Sequence, residues 1–206
     1  MLGNQYEDWR PVLEQVQNDL LGAIEAYNEA VKQACGENAY EHLTSRIKST
    51  ASMEDKCKRK NLPFTVHSAL KEIHDAIGVR IVCRFLNDIP LNLQYLRKIP
   101  GCTIVEEKDY IYHVKPNGYR SYHVILEMEK PFADVEGKTP GIFYAEIQLR
   151  TLAMDSWASL EHQMKYKHHI QNAELIGQEL KRCADELAAC DLSMQTIRNL
   201  IREADQ

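Results

Sequence analysis

Near the C-terminus Ile176, Leu180, Cys183, Leu187, Cys190, Met194, Ile197 and Ile201 follow one another at alternating spacings of four and three, without a break. That spacing keeps the side chains on one side of an α-helix, so the stretch predicts a long helix with an apolar stripe that needs cover. The cover is either the body of the same chain or, because the stripe runs for nearly four heptads, another subunit. A second stripe, Leu13, Val16, Leu20, Ile24, Tyr27, Val31 and Ala34, predicts an N-terminal helix ended by Gly36. The rest of the structure must form between two long helices.

That middle reads as mixed. β-Branched runs bounded by turn residues predict strands over residues 40–48, 78–85, 102–112, 119–128 and 143–149, the third and fourth pairing across Pro116-Asn117-Gly118. Helical patterns fall over 52–60, 66–77, 90–99 and 153–166, and 134–140 reads as a loop. The fold class is therefore α+β: a mixed sheet of about five strands with flanking helices, in one domain over residues 1–206 with helical appendages at 6–35 and 173–204. Hydrophobic residues at 44% and charged residues at 27% suit a soluble globular chain, and a formal net charge of −5 argues against a general nucleic-acid coat. It leaves room for a local basic cleft. The N-terminus lacks the pattern of a signal peptide, and no run approaches 18 apolar residues. The six cysteines form no C-x-x-C pair and no zinc spacing, and read as reduced core thiols of a cytoplasmic protein.

Four segments carry candidate chemistry. In RIKSTASMEDKCKRK the six cations are Arg46, Lys48, Lys56, Lys58, Arg59 and Lys60. Arg46 and Lys48 share a strand face, and Lys56 and Arg59 lie one helical turn apart. Two such pairs suit a polyphosphate, or else a solvated basic face. HDAIGVR places Asp75 at the end of the expected helix 66–77, where the macrodipole disfavours a carboxylate, so the residue needs a cation such as a metal ion, or open solvent. Arg80 follows on a strand face. In YAEIQLRT period two puts Glu146, Gln148 and Arg150 on one face and Ala145, Ile147 and Leu149 on the other, which is costly unless the polar face looks into a cleft or solvent. KPNGYRSYH sets Lys115, Tyr119, Arg120 and His123 around a sharp turn in nine residues. After these, AMDSWASLEHQMKYK brings Asp155, Ala158 and His162 near one helical stripe. His162, His168 and His169 invite a zinc reading, but adjacent His168 and His169 lie past the end of the helix expected over 153–166. Neither a P-loop nor a Rossmann glycine turn is present, so phosphates would be met by side chains and a divalent metal.

Taken together and in order, RIKS, D..GVRIVC.F, KDYI…KPNGYRSYH and EIQLRT.AMD.WA..EH…YK resemble the synthetase domain of the RelA/SpoT family and, by length, its small alarmone synthetases. The resemblance covers about residues 40–167, the implied catalytic core, and implies a nucleotidyltransferase-like synthetase fold and a homotetramer. It also implies transfer of the β,γ-diphosphate of ATP to the ribose 3′-OH of GDP or GTP. Residue by residue, Asp75 and Glu146 match the acidic pair that holds Mg²⁺, and Glu146 with Gln148 the pair that orients or deprotonates the 3′-OH. Arg46 and Arg80 match the guanidinium groups that stack on adenine, and Lys48, Ser52, Lys56 and Arg59 the ATP phosphate contacts. Tyr119 matches the ring that stacks on guanine, in the turn that holds Asn117. Lys115 and His123 match the contacts to the acceptor's phosphates, and Asp155 with Ala158 a guanine-reading wall.

Two features depart from the family. Glu106-Glu107-Lys108-Asp109 mixes signs where the long enzymes select GDP or GTP, and Tyr122 stands where Leu is usual. Two other readings stay open: a toxic relative that modifies tRNA 3′ ends or adenine nucleotides, and a binding module without activity. A net charge of −5 speaks against the first, and intact Asp75, Glu146 and Gln148 against the second.

Overall fold

The chain begins with α1 (Leu2–Asp8) and α2 (Arg10–Cys35) in a computed structural model that describes residues 2–166 and 172–204. Pro11 sits in the first turn of α2, where a missing N–H is no loss. Gly36 ends the helix at φ +77°, its amide donating to Lys32 O at 2.8 Å. The stripe Leu13, Val16, Leu20 and Ile24 is buried, as its spacing requires. Then follow β1 (His42–Ile47), α3 (Thr50–Arg59), a π-helical turn (Ser68–Glu72), β2 (Ile77–Cys83), α4 (Asp88–Leu96), β3 (Cys102–Asp109), β4 (Tyr122–Lys130), β5 (Gly141–Thr151), α5 (Leu152–Tyr166) and α6 (Ala173–Ala204).

The five strands form one sheet in the order β1-β2-β5-β4-β3, with β2 and β5 parallel and the other pairs antiparallel. β5 is the centre, and its alternation decides the architecture. Phe143, Ala145, Ile147 and Leu149 join Ile77, Val79, Ile81, Val124 and Leu126 and the stripe of α2 in one buried cluster. The alternate residues face the other way, and the register lines them up. One row across the sheet reads Thr44, Arg80, Gln148, His123, Lys108, and the next reads Arg46, Gly78, Glu146, Ile125. Local pairing thus assembles cations, an amide, an imidazole and a carboxylate from five strands on one face.

The start of β5 is fixed by a buried residue within the loop expected over 134–140. Asp134, 3% exposed, accepts from Lys71 Nζ at 2.6 Å and from the amides of Glu136, Lys138 and Ile142. Lys71 also donates to Ile142 O at 3.0 Å. These bonds outweigh the burial of the carboxyl and hold it below the usual Asp range.

Several expectations need correction. The helix over 66–77 is only a single wide turn: Ile73 donates to Ser68 O at 2.9 Å, and the backbone is extended at Ile73 (φ −108°, ψ 116°). Extension there buries Ile73 and Ala76 in the core and leaves Asp75 on the cleft side, so Asp75 is not at a helix end. The strand expected over 119–128 starts at Tyr122, because Tyr119 to Ser121 belong to the connection. Gly118 donates to Lys115 O at 2.8 Å, and its φ of +91° with Ala184 Cβ 2.7 Å from an added Cβ leaves only glycine. Of the six free cysteines only Cys57 and Cys83 are buried, while Cys35, Cys183 and Cys190 are exposed. The stripe on α6 divides. Leu180 packs with Trp157, whose Nε1 donates to Leu180 O at 2.8 Å, whereas Met194, Ile197 and Ile201 are exposed. His168, His169 and Lys167 lie outside the described residues.

Candidate active site

The polar face of the sheet opens into a cavity of about 390 Å³ lined by Arg46, Lys48, Asp75, Arg80, Glu146 and Gln148. A second, of about 440 Å³, shares Arg46, Arg80 and Gln148 and adds Tyr119, Arg150 and Ala158. The shared residues make them two ends of one cleft.

At the first end the charges converge on Asp75. Lys48, just past β1, and Lys56, in the middle of α3, both ion-pair with Asp75 Oδ2. Asp75 Oδ1 is buried and has no hydrogen-bond partner. Burial pushes Lys48 below the usual Lys range, only partly offset by Asp75. Glu146 would be raised by its burial, but hydrogen bonds and charge from His123, then Gln148 and Lys56, bring it down to about 2. Its Oε1 lies 3.2 Å from His123 Nδ1 and its Oε2 accepts from Gln148 Nε2 at 2.9 Å.

At the second end, Arg150 is nearly buried and Asp155 faces it from the first turn of α5. Asp155 Oδ1 is 3.0 Å from Arg80 Nη1 and 3.1 Å from Arg150 Nη1. Burial and the neighbouring Arg150 charge lower Arg80 from the usual Arg range, and Asp155 opposes them. Tyr119 Oη accepts from Arg150 Nη2 at 2.7 Å and lies 2.8 Å from His123 Nε2. Lys115 sits over the rings of Tyr110 and Tyr119, at 4.3 and 5.0 Å. Asn117 braces the turn, donating to Glu161 at 3.2 Å and accepting from the Tyr119 amide at 3.2 Å.

Most of the residues singled out from the sequence meet in this cleft. Ser52 and Arg59 do not: both are exposed near opposite ends of α3 and line neither cavity. Ser52 instead closes the helix start, its amide donating to the Ser49 hydroxyl. The mixed-sign segment before the turn is paired off, Lys108 with Glu106 at 2.5 Å inside it and Glu107 with Arg97 at 2.8 Å outside it, and Tyr122 Oη donates to Glu107 at 2.5 Å. Sequence reasoning gave Arg150 no role, although its place on the polar face of YAEIQLRT was visible. Ser121, which accepts from Arg150 Nε at 3.4 Å, carried no signal at all.

Among the described residues no group of three or more His, Cys, Asp or Glu is arranged to hold a metal. Two carboxylates on one cleft, one with an orphaned buried oxygen, nevertheless fit Mg²⁺, which takes one or two carboxylates and completes its shell with phosphate and water. Among the described residues no helix is long and apolar enough to cross a membrane.

Residues 45–171 match the family described as a region found in RelA / SpoT proteins. The chain is 37% identical to the GTP pyrophosphokinase YwaC of Bacillus subtilis over 93% of its own length and 94% of the relative's. Its fold is similar to that of the small alarmone synthetase 1 from Bacillus subtilis bound to its product pppGpp, with a TM-score of 0.77 and 31% identity over 94% of each chain. The same enzyme bound to AMPCPP gives a TM-score of 0.72 at 29% identity, covering 97% of this chain and 99% of that one.

Proposed function

The chain belongs to the RelA/SpoT family, and on that premise we propose that it transfers the β,γ-diphosphate of ATP to the ribose 3′-OH of GDP or GTP, giving ppGpp or pppGpp and AMP. The observation that carries this reading is the cleft itself, with a cation-lined acidic end joined to an aromatic end through Arg46, Arg80 and Gln148. Relatives named as GTP pyrophosphokinases and small alarmone synthetases support it.

Each end supplies a part of the chemistry. Arg46 and Arg80 offer planar cations to the adenine, and Lys48 and Lys56 point charges to its phosphates. Ser52 and Arg59 take part only where the phosphate tail reaches out along α3. Tyr119 offers its ring to guanine over the floor made by Ala158, and Asp155 accepts from the guanine N1–H and 2-amino group, a pair adenine lacks. Lys115 and His123 meet the acceptor's phosphates. Asn117 keeps the turn in place. Asp75 and Glu146 would hold Mg²⁺, which when bound neutralises charge developing on the phosphate oxygens. Glu146 is ionised across the working pH range. Held below the usual Glu range, it accepts from the 3′-OH and so orients or deprotonates it, with Gln148 alongside.

We assign the enzyme to the cytoplasm, a reading that six free thiols support because they would stay reduced there. Its exposed α6 stripe is assigned to subunit contacts in a homotetramer, a state that light scattering at micromolar concentration checks; a monomer there excludes it. One experiment tests the reaction: incubation with γ-labelled ATP, Mg²⁺ and GDP, GTP, AMP or tRNA in turn. Labelled ppGpp or pppGpp is expected, and label on tRNA or AMP alone would replace the guanine reading with that of a toxic relative.

A further inference from the structure

We propose that Arg150 is a positioning residue that ties the acceptor's base pocket to Glu146 through two hydrogen-bonded arms. The proposal deepens the diphosphate-transfer reading and rests on it. One arm runs from Arg150 Nη2 to Tyr119 Oη at 2.7 Å, on to His123 Nε2 at 2.8 Å, and from His123 Nδ1 to Glu146 Oε1 at 3.2 Å. The other runs from the same Nη2 to Gln148 Oε1 at 2.8 Å, and from Gln148 Nε2 to Glu146 Oε2 at 2.9 Å.

The direction of these bonds is not free. Arginine only donates and an ionised carboxylate only accepts. With a donor at one end and an acceptor at the other, Tyr119 Oη accepts from Arg150 and His123 presents Nδ1–H to Glu146; a neutral imidazole then takes the Tyr119 hydroxyl proton at Nε2, and an imidazolium donates to the same oxygen. Gln148 must point its oxygen at Arg150 and its NH₂ at Glu146. Both carboxylate oxygens are thereby held, and Glu146 cannot rotate without breaking an arm. The same guanidinium grips Asp155 Oδ1 through Nη1, so the base-reading carboxylate and the 3′-OH acceptor are braced from one planar group.

Arg84, outside the cleft, gives its Nη2 to a backbone oxygen, Asn38 O. Every hydrogen bond shown for Arg150 goes instead to a side chain, and Tyr119, Gln148 and Asp155 all belong to the cleft. Burying a charge to 4% exposure in that way is justified by what it holds in place.

The test is a double-mutant cycle on the full chain with Arg150→Met, Arg150→Lys, Tyr119→Phe and the Arg150→Met/Tyr119→Phe pair, read as kcat, as KM for ATP and for the acceptor the wild type uses, and as thermal midpoint. Arg150→Met is expected to lower kcat about tenfold to a hundredfold, the scale of a lost charged hydrogen bond, with KM for ATP unmoved. Arg150→Lys restores part of it, because one donor survives but the fork does not. Tyr119→Phe keeps the ring and so the acceptor KM, and lowers kcat roughly twofold to tenfold. The pair should be no worse than Arg150→Met alone, since one arm is cut twice. Wild-type kcat in Arg150→Met, effects that multiply in the pair, or losses that only follow the thermal midpoint would overturn the proposal. Transfer by the wild type to tRNA or AMP alone overturns the guanine reading instead, and the cycle measured with that acceptor still decides the part played by Arg150.

Discussion

The two faces of β5 are made by the same eleven residues and obey different rules. Ala145, Ile147 and Leu149 are fully buried among other apolar side chains, where contact is non-directional and volume is what counts. Glu146, Gln148 and Arg150 stand on the opposite face in a chain of directed bonds in which each member fixes the next. A change on the first face is therefore felt by the fold, and a change on the second by the reaction. What separates the two faces is whether an interaction has a direction.

The largest effect expected from this contrast is on the apolar face. Ile147→Ala should destabilise the chain by about 2–5 kcal/mol, through lost transfer energy and the cavity left behind. Turnover per folded molecule should stay near wild type when assayed below the lowered midpoint. Denaturant unfolding measures the first quantity and active-site titration the second. A variant of normal stability, or one folded but inactive, would break the division between the faces.

Next come Glu146→Gln and Asp75→Asn, the mirror image. Each keeps the shape and removes a charge, and a lost transition-state interaction of about 3–4 kcal/mol lowers turnover on the order of 10²–10³-fold. Each variant also gives up bonds that the folded chain makes, Asp75 to Lys48 and Lys56 and Glu146 to His123 and Gln148, so turnover is read per folded molecule below the variant's own thermal midpoint. Near-normal turnover by either variant removes that carboxylate from the metal-holding pair.

Smaller again is Tyr119→Ala. A stacked base is worth about 1–3 kcal/mol, so guanine-nucleotide binding should weaken to that extent while ATP binding is left nearly alone. Calorimetric titration of each nucleotide decides it. Equal losses for both would make Tyr119 a structural member of the cluster with Trp157 and Leu180.

The same distinction explains what was legible in the sequence. Period two on YAEIQLRT revealed both faces of β5, because alternation is a property of the strand alone. Periodicity on the two long helices was equally clear, yet it led to different outcomes. The stripe on α2 is covered by the sheet. Most of the stripe on α6 is not, because that helix is fastened from another side by polar groups: Asp191 to Thr151 at 2.5 Å, Gln195 to the Asn87 amide at 3.0 Å and Arg198 to Asp88 at 2.5 Å. Spacing shows that a helix has an apolar face but not what meets it. Asp75 was read as needing a cation or open solvent, and it meets Lys48 and Lys56, but not on a helix end, since the widening at Ser68–Glu72 is set by burying Ile73. Arg150 was seen and given no task because, Gln148 apart, its partners come from α5 (Asp155) and the connection before β4 (Tyr119 and Ser121), and no local pattern reports such a meeting.

The smallest effect concerns the residue where β5 ends, and its sign is opposite to that of Glu146. Thr151 donates to Asp191 Oδ2 at 2.5 Å, a single partner that offsets only part of the burial that raises the Asp191 carboxyl above its usual range. Glu146, held by a whole network, is lowered to about 2. A lowered carboxylate adds stability that is present above the ordinary Glu value of about 4.3 and lost as pH falls through the folded value. A raised one does the reverse: its contribution is complete below the ordinary Asp value of about 3.9 and disappears as pH rises through the folded value, leaving a buried charge that favours unfolding. Asp191→Asn keeps an acceptor for Thr151 and removes that charge. Its thermal midpoint should therefore lie slightly above wild type at pH about 7 and converge on it near pH about 3, where Asp191 is protonated in both states. Parallel midpoints at every pH would mean that the Thr151 hydroxyl fully offsets the burial of Asp191, so that its carboxyl titrates alike in the folded and unfolded chain.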